Sequence, residues 1–239
     1  MYLEKIYDCV TWIEIEYGLH AIVPISLSAA LLVAVVSYFL GCFNGAVIAS
    51  KYILHDDVRD HGSGNAGLTN FHRTFGGKLA AVVILCDAIK AVLSVLFGVW
   101  ILGYVVGHGV DHMIHIGKLW SGLFCLIGHS FPCMFQFKGG KGVLSGGIIA
   151  FMMDWRIGLI AFGGFLVLVF LTRWVSLGSI WGGVCFPVAV AFFYQDILLT
   201  QLALLCGGLL VIKHKDNIKR LIKGTESKFS FRRKKEAQQ

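Results

Sequence analysis

From Ala21 to Ser50 the chain carries no Asp, Glu, Lys or Arg. A helix rising 1.5 Å per residue needs roughly 20 apolar residues to cross the hydrocarbon core of a bilayer, so this stretch alone is long enough to span one. Two more follow. Leu79 to Gly107 is interrupted only by Asp87 and Lys90, and Leu119 to Phe137 has no charged residue. After Lys138 to Gly142 the apolar sequence is cut at Asp154-Trp155-Arg156, Thr172-Arg173-Trp174 and Tyr194-Gln195-Asp196. These cuts leave four further segments of about 11 to 20 residues, the one from Val143 to Met153 short for a full crossing. The pattern predicts an all-α integral membrane protein with about seven transmembrane helices. With 15% charged residues, against about 25% in soluble domains, a water-soluble globule is excluded. So apolar a chain is not a disordered one either.

The net charge of +7 is unevenly placed. Segments 51–78, 138–142, 172–174 and 213–239 hold 17 of the 21 Lys and Arg, whereas 1–20, 108–118, 154–156 and 194–196 hold 3. Lys and Arg in short loops stay cytoplasmic, which predicts the N-terminus outside and the C-terminus in the cytoplasm. The organisation expected is an extracytoplasmic extension over 1–20, a transmembrane domain over 21–213 with polar loops at 51–78 and 138–142, and a basic cytoplasmic segment over 214–239. The first 20 residues carry four acids and one Lys, unlike the basic start of a secretory signal. The seven Cys form no CxxC pair and lie mostly in apolar runs, where they read as small buried hydrophobes.

Three polar groups fall on the cationic side. The first is His61-Gly62-Ser63-Gly64-Asn65-Ala66-Gly67-Leu68-Thr69-Asn70-Phe71-His72-Arg73. Its glycines free backbone N–H groups to turn inward, Ser63, Thr69 and Asn70 add hydroxyl and amide donors, and Arg73 adds a bidentate fork, a set suited to phosphate. A flexible polar loop is the plainer alternative. The second group is Gly128-His129-Ser130-Phe131-Pro132 with Phe137-Lys138-Gly139-Gly140-Lys141-Gly142. Two Lys flanking two Gly make an anion cradle at the start of a helix, or else simply fix topology. His129 is either a structural or a catalytic imidazole. The third runs from Lys213 to Glu226, where Ile218, Leu221 and Ile222 among basic residues suit an anionic leaflet. That reading leaves His214, Asn217, Thr225 and Glu226 without a purpose. Ser176 and Ser179, one helical turn apart, face these loops.

Other pattern matches carry little. Gly62, Gly64 and Gly67 spell GxGxxG, but a membrane span precedes them where a dinucleotide fold needs a strand. His55 and Asp60 spell the HxxxxD of acyltransferases that use thioester donors, a pair common by chance. No Gly-Lys is followed by Ser or Thr, so no Walker loop is present. His108, His112 and His115 have helical spacing for a metal but lie in a short loop on the outer side.

The three groups, in this order on a seven-span protein, resemble the acyl-phosphate:glycerol-3-phosphate acyltransferase (PlsY) family over about residues 25 to 228. The motifs that carry the resemblance are GSGNAGLTNFHR, GHSFPCMFQFKGGKG and HKDNIKRLIKGTESK. Asp87 and Lys90 are similar to a DxxKG of that family, and Val175 to Ser179 to its serine-bearing stretch. Leu68, His72 and Ala91 depart from its usual Ala, Leu and Gly.

The resemblance implies transfer of an acyl group from acyl phosphate to the 1-hydroxyl of glycerol 3-phosphate, giving lysophosphatidic acid and phosphate for phospholipid synthesis. It implies a site at the cytoplasmic face of a bacterial inner membrane. Lys141, His214, Asn217 and His129 are the expected catalytic residues, and Ser63, Asn65, Thr69, Asn70, Arg73, Lys138, Ser179 and Glu226 the expected substrate-binding ones. No cofactor, metal or nucleic acid is implied; the partners are the two substrates, membrane lipids and the peripheral enzyme that makes acyl phosphate. Acyl phosphate has a good leaving group, so direct attack needs no covalent nucleophile, and a substrate phosphate oxygen can take the proton. The alternative is a transporter of an organic phosphate anion, which Asp87 and Lys90 inside a span would also serve.

Overall fold

The computed structural model describes residues 22–229, so the segment 1–20 and the last basic residues lie outside the described residues. The described chain is helical throughout. Helix α1 is Ile22–Cys42; α2, Gly45–Ile48, continues into a π-helical turn, Ala49–Ile53; α3 is Leu68–Phe75. Helix α4, Ala80–Gly98, is prolonged by a π-helical stretch, Val99–Val106, and α5 is Asp111–Ser130. Then come α6, Val143–Met153; α7, Trp155–Thr172; α8, Val175–Tyr194; α9, Ile197–Lys213; and α10, Lys215–Ile222. Each apolar segment of the sequence is thus helical over most of its length, but in the one from Leu119 to Phe137 the helix ends at Ser130 and the remaining residues belong to the loop that follows.

Among the described residues four stretches, Leu27–Ile53, Ala80–Val106, Trp155–Thr172 and Val175–Tyr194, are long and apolar enough to cross a membrane. Helices α9 and α10, bent by 57° at their junction, meet the same measure only when taken together as one span. Helix α5 has 20 residues, with Asp111, Lys118 and three His among them. With 11 residues, α6 is about 16 Å long, half the thickness of a hydrocarbon core.

The charged cuts between apolar segments are helix caps. Asp154 ends α6 and begins α7, its carboxylate accepting from the Arg156 N–H at 2.8 Å. Asp196 accepts from the Leu199 N–H at 2.8 Å to begin α9. Arg173 ends α7 in the left-handed region. Each supplies a partner for backbone groups that a helix end leaves open.

Helices in an apolar solvent gain little from hydrophobicity against one another and associate through close packing. At the α4–α5 crossing Gly98 and Gly117 meet backbone to backbone, and at α8–α9 Gly207 lies against the Gly183 carbonyl; a Cβ at Gly98, Gly117 or Gly207 would overlap the opposite helix, and one at Gly183 would crowd the Leu210 and Val211 side chains at 3.0 Å. Leu119, Ile149, Met153, Ile157, Val190 and Leu199 fill the bundle interior. The outer surface is apolar too: Phe170 is 85% exposed and Phe192 72%, values that call for lipid around the bundle.

The polar segments gather at two ends. At one, the Tyr194 hydroxyl meets His115 Nε2 at 3.0 Å, Lys118 Nζ donates to the Met153 carbonyl at 3.2 Å, and the Arg156 guanidinium lies 4.4 Å from the Phe193 ring centroid. These contacts join 108–118, 154–156 and 194–196. At the other, Arg59 donates to the Phe135 carbonyl at 2.7 Å, Arg73 to the Ser227 carbonyl at 3.3 Å, and the Phe229 N–H to the Arg173 carbonyl at 2.7 Å. Among the described residues, the two groups of segments distinguished by charge count in the sequence therefore make their contacts at separate ends.

Candidate active site

A cavity of about 950 Å³ opens at the cation-rich end and follows α6 from Val143 to Phe151, about 12 Å along that helix. Its polar lining includes Ser63, Asn65, Thr69, Asn70, Arg73, His129, Lys141, Ser179, His214, Asn217 and Glu226. Eleven of the twelve residues expected from the sequence thus come together. Lys138 does not line the cavity. Its side chain is exposed, and its carbonyl accepts from Arg59 at 3.4 Å.

The first loop is wound around one amide. Asn70 Nδ2 donates to the carbonyls of Val58 and His61 at 2.9 and 3.0 Å, and its Oδ1 accepts the Ser63 N–H at 3.0 Å. Gly62 and Gly64 have positive φ, and a Cβ on Gly62 would overlap Asn70 Oδ1. With both N–H groups of its amide used inside the protein, Asn70 shapes the loop. Ser63, Thr69 and Arg73 are left to face the cavity, the last two one turn apart on one face of α3, Thr69 in its first turn and Arg73 in its last. Arg59 ties this loop to the next one: its fork grips Asp57, and Nη1 reaches the Phe135 carbonyl.

The second loop is laid against His129. The Gly140 N–H donates to the His129 carbonyl at 3.1 Å. A side chain at Gly139 would overlap that carbonyl, and one at Gly140 would overlap the His129 ring and stand 2.6 Å from the Ala66 oxygen. Only glycines let the loop pass between the first loop and α5. Lys141 follows at once and hydrogen-bonds Asn217 Oδ1 across the site.

The third group closes the other side. Asn217 Nδ2 donates to Glu226 Oε1 at 2.7 Å, Ser176 Oγ donates to the same oxygen at 2.7 Å, and Arg220 Nε donates to Oε2 at 2.7 Å. Glu226 thereby pins the strap after α10 onto α8 and α10. His214 Nδ1 lies 2.8 Å from the Leu210 carbonyl. A carbonyl only accepts, so Nδ1 carries the proton and Nε2 presents a lone pair. Ser179 donates to the Val175 carbonyl at 2.8 Å.

Arg73, Lys141 and Arg220 line the cavity, with Glu226 the acid beside them and Asp87 already paired to Lys90 at 2.7 Å. The excess is positive. Burial, reinforced by the Arg220 cation, lowers the Lys141 ammonium to about 8. Burial alone would raise the Glu226 carboxyl, but donation from Asn217, Ser176 and Arg220 outweighs it and holds the group below the usual range. Such a lining suits an anion.

Arg220 is a site residue that sequence reasoning did not single out, although its spacing of three from Asn217 puts both on one face of α10. Among the described residues no group of three His, Cys, Asp or Glu is placed to hold a metal. His112 pairs with Asp196 at 3.4 Å. His55 and Asp60 are exposed and line no part of the cavity.

The profile of the Glycerol-3-phosphate acyltransferase family matches residues 31–224. A glycerol-3-phosphate acyltransferase of Thermoanaerobacter sp. (strain X514) is 37% identical over 199 residues, covering 83% of this chain and 95% of that protein. One from Finegoldia magna is 34% identical over 200 residues, with 83% and 95% covered. The fold is similar to the crystal structure of PlsY, an integral membrane glycerol 3-phosphate acyltransferase, in its glycerol 3-phosphate form (TM-score 0.73, 30% identity, 84% of this chain and 96% of that one). Its lysophosphatidic acid form aligns with a TM-score of 0.71 at 28% identity, over the same shares of the two chains. An all-helical lipid-exposed bundle whose three polar motifs meet around one cationic cavity, matched over most of its length by these relatives, belongs to the glycerol-3-phosphate acyltransferase (PlsY) family of integral membrane acyltransferases.

Proposed function

We propose that this enzyme takes its acyl group from acyl phosphate and delivers it to the 1-hydroxyl of glycerol 3-phosphate. The observation that carries this reading is the convergence of Arg73, Lys141 and Arg220 on one cavity that continues between apolar helices past Leu144, Ile148 and Phe151. Two phosphates repel, and three cations in a partly desolvated site offset that repulsion. The acyl chain lies along α6. Arg73 and the N-terminus of α3, with Ser63 and Thr69, bind phosphate. Lys141 neutralises charge as the leaving phosphate departs, and Asn217 fixes the Lys141 ammonium.

Ser176 and Ser179 donate to Glu226 and Val175 and neither meets a His, so the geometry favours direct attack over an acyl-enzyme. The hydroxyl oxygen bonds to the acyl carbon, the carbon–oxygen bond to phosphate breaks, and the hydroxyl proton passes to a phosphate oxygen of the substrate. His214 Nε2 is the acceptor that orients the hydroxyl. The charge distribution supports seven crossings, with the cavity at the cytoplasmic face of a bacterial inner membrane.

Purified protein in lipid nanodiscs should release phosphate from acyl phosphate only when glycerol 3-phosphate is present. Turnover with acyl-CoA but not with acyl phosphate would sink the donor assignment. The Lys141 ammonium is the form below about 8, so kcat/KM should fall as pH rises through that value. At saturating substrate the bound anions favour the charged form, and the limb in kcat should lie at higher pH. A flat profile from pH 7 to about 9.5 would remove Lys141 from the chemistry.

A further inference from the structure

Beneath the cavity, Asp87, Lys90 and His129 form a buried polar cluster, each about 3% exposed. Lys90 Nζ has three neighbours: Asp87 Oδ1 at 2.7 Å, His129 Nδ1 at 2.7 Å and the Phe43 carbonyl at 2.9 Å. An ammonium has three N–H groups, and here each has its own acceptor. His129 Nδ1 must then present its lone pair, which places the imidazole proton on Nε2. Asp87 Oδ1 also faces the Gly45 N–H at 3.5 Å, and the Asp87 carbonyl accepts from Ser145 Oγ at 3.1 Å. The cluster therefore joins α1, α2, α4, α5 and α6.

A His whose Nδ1 is committed to an ammonium has no lone pair left to take a proton from substrate. Its other face is occupied as well, because Gly140 lies against Nε2 and the Gly140 N–H is held by the His129 carbonyl. The next residue is Lys141. On the first loop, the Ala66 carbonyl beside Gly140 is held by Asn44 Nδ2 at 3.0 Å. The imidazole is thus a spacer between a fixed ionic base and the loop that carries the cation.

We infer that His129 is a positioning residue, not an acid or base, and that Asp87 and Lys90 act through it to set the depth of Lys141 in the cavity. The inference rests on the acyl-transfer reading above for its kinetic consequence, but its geometry also governs anion binding. A misplacement of about 1 Å in such a site costs on the order of 100-fold.

The test uses full-length protein in nanodiscs and compares His129→Asn, His129→Leu, Lys90→Met and Gly140→Ala by turnover, by calorimetric binding of glycerol 3-phosphate, and by melting temperature. Asn carries an acceptor where Nδ1 stands but has no titratable ring. His129→Asn keeps the acceptor for Lys90 but loses the ring edge against Gly140, so it should lose about tenfold in kcat/KM with every limb of the parent's pH profile retained, whereas His129→Leu and Lys90→Met should lose about 100-fold. Gly140→Ala leaves the cluster intact and should lose as much, because its Cβ displaces the loop. A folded His129→Asn that loses a limb of the pH profile of kcat/KM shown by the parent would show that the ring itself does acid-base chemistry and would overturn the inference. So would a fully active Gly140→Ala or His129→Leu. If the parent binds glycerol 3-phosphate but does not turn over acyl phosphate, the donor assignment fails, and the binding series still decides the role of His129.

Discussion

Lys141→Ala should cost roughly 1,000-fold in kcat/KM for glycerol 3-phosphate, the scale seen when one preorganised charge-stabilising donor is removed from a desolvated site. Two effects add. The bound anions lose a cation that is already in place, and Asn217 Oδ1 loses the ammonium that fixes its amide. Because Asn217 also holds Glu226, loss of the ammonium loosens the opposite wall. Lys141→Arg keeps the charge but brings a planar fork to a place framed by Gly140, Gly142 and Asn217. It should recover only part of the rate. Steady-state kinetics against both substrates, with melting temperature as the folding control, reads this out. Lys141→Ala activity within tenfold of the parent would show that Arg73 and Arg220 suffice.

Glu226→Ala should lower kcat/KM by about 100-fold, mainly through a higher KM for glycerol 3-phosphate. The Glu226 side chain is 7% exposed and accepts three hydrogen bonds, from Ser176, Asn217 and Arg220. Without it the Asn217 amide is free to turn and the Arg220 guanidinium to swing away, and the strap that reaches Arg73 through the Ser227 carbonyl is loosened. Glu226→Gln keeps one acceptor oxygen, for Asn217 and Ser176 or for Arg220 but not for both sides, so it should fall between. Both should expose the Gly224 to Phe229 segment to limited proteolysis. Protection equal to the parent would mean that other contacts hold the strap.

The helices were legible because lipid imposes one rule on every residue of a span, and a charge inside an apolar run stands out. Asp154, Arg173 and Asp196 marked helix ends correctly, since a cap is a local event that adjacent residues decide. The separation of charge into two groups of loops was legible for the same reason. Helix α3 lies in a stretch that reads as loop, because the glycines before it and a length of only eight residues mask its amphipathic pattern. The polar motifs also announced themselves, but the division of labour inside them did not. Asn70 reads as one more phosphate donor until its partners at Val58, His61 and Ser63 are known. Lys138 and Lys141 are equivalent in sequence, and only the path of the loop past His129 turns one outward and the other inward. The pairing of Lys141 with Asn217 spans 76 positions, and no local signal encodes so distant a partner. The spacing of three between Asp87 and Lys90 permits a pair without requiring one; the 2.7 Å contact between them shows that they pair.

The strap has a consequence for how the protein is made. Asn217, Arg220 and Glu226 all follow the last long apolar helix, whereas Ser63 to Arg73 and Lys138 to Lys141 leave the ribosome much earlier. During synthesis the early loops emerge with their cations and no counterpart, so the half-built enzyme has the charge of a binding site without its geometry. Anionic substrate meeting that intermediate finds a loose cationic patch. The third wall of the cavity forms only when α10 packs against the bundle and Glu226 docks, so the early loops hold their cations without it until synthesis has passed Glu226.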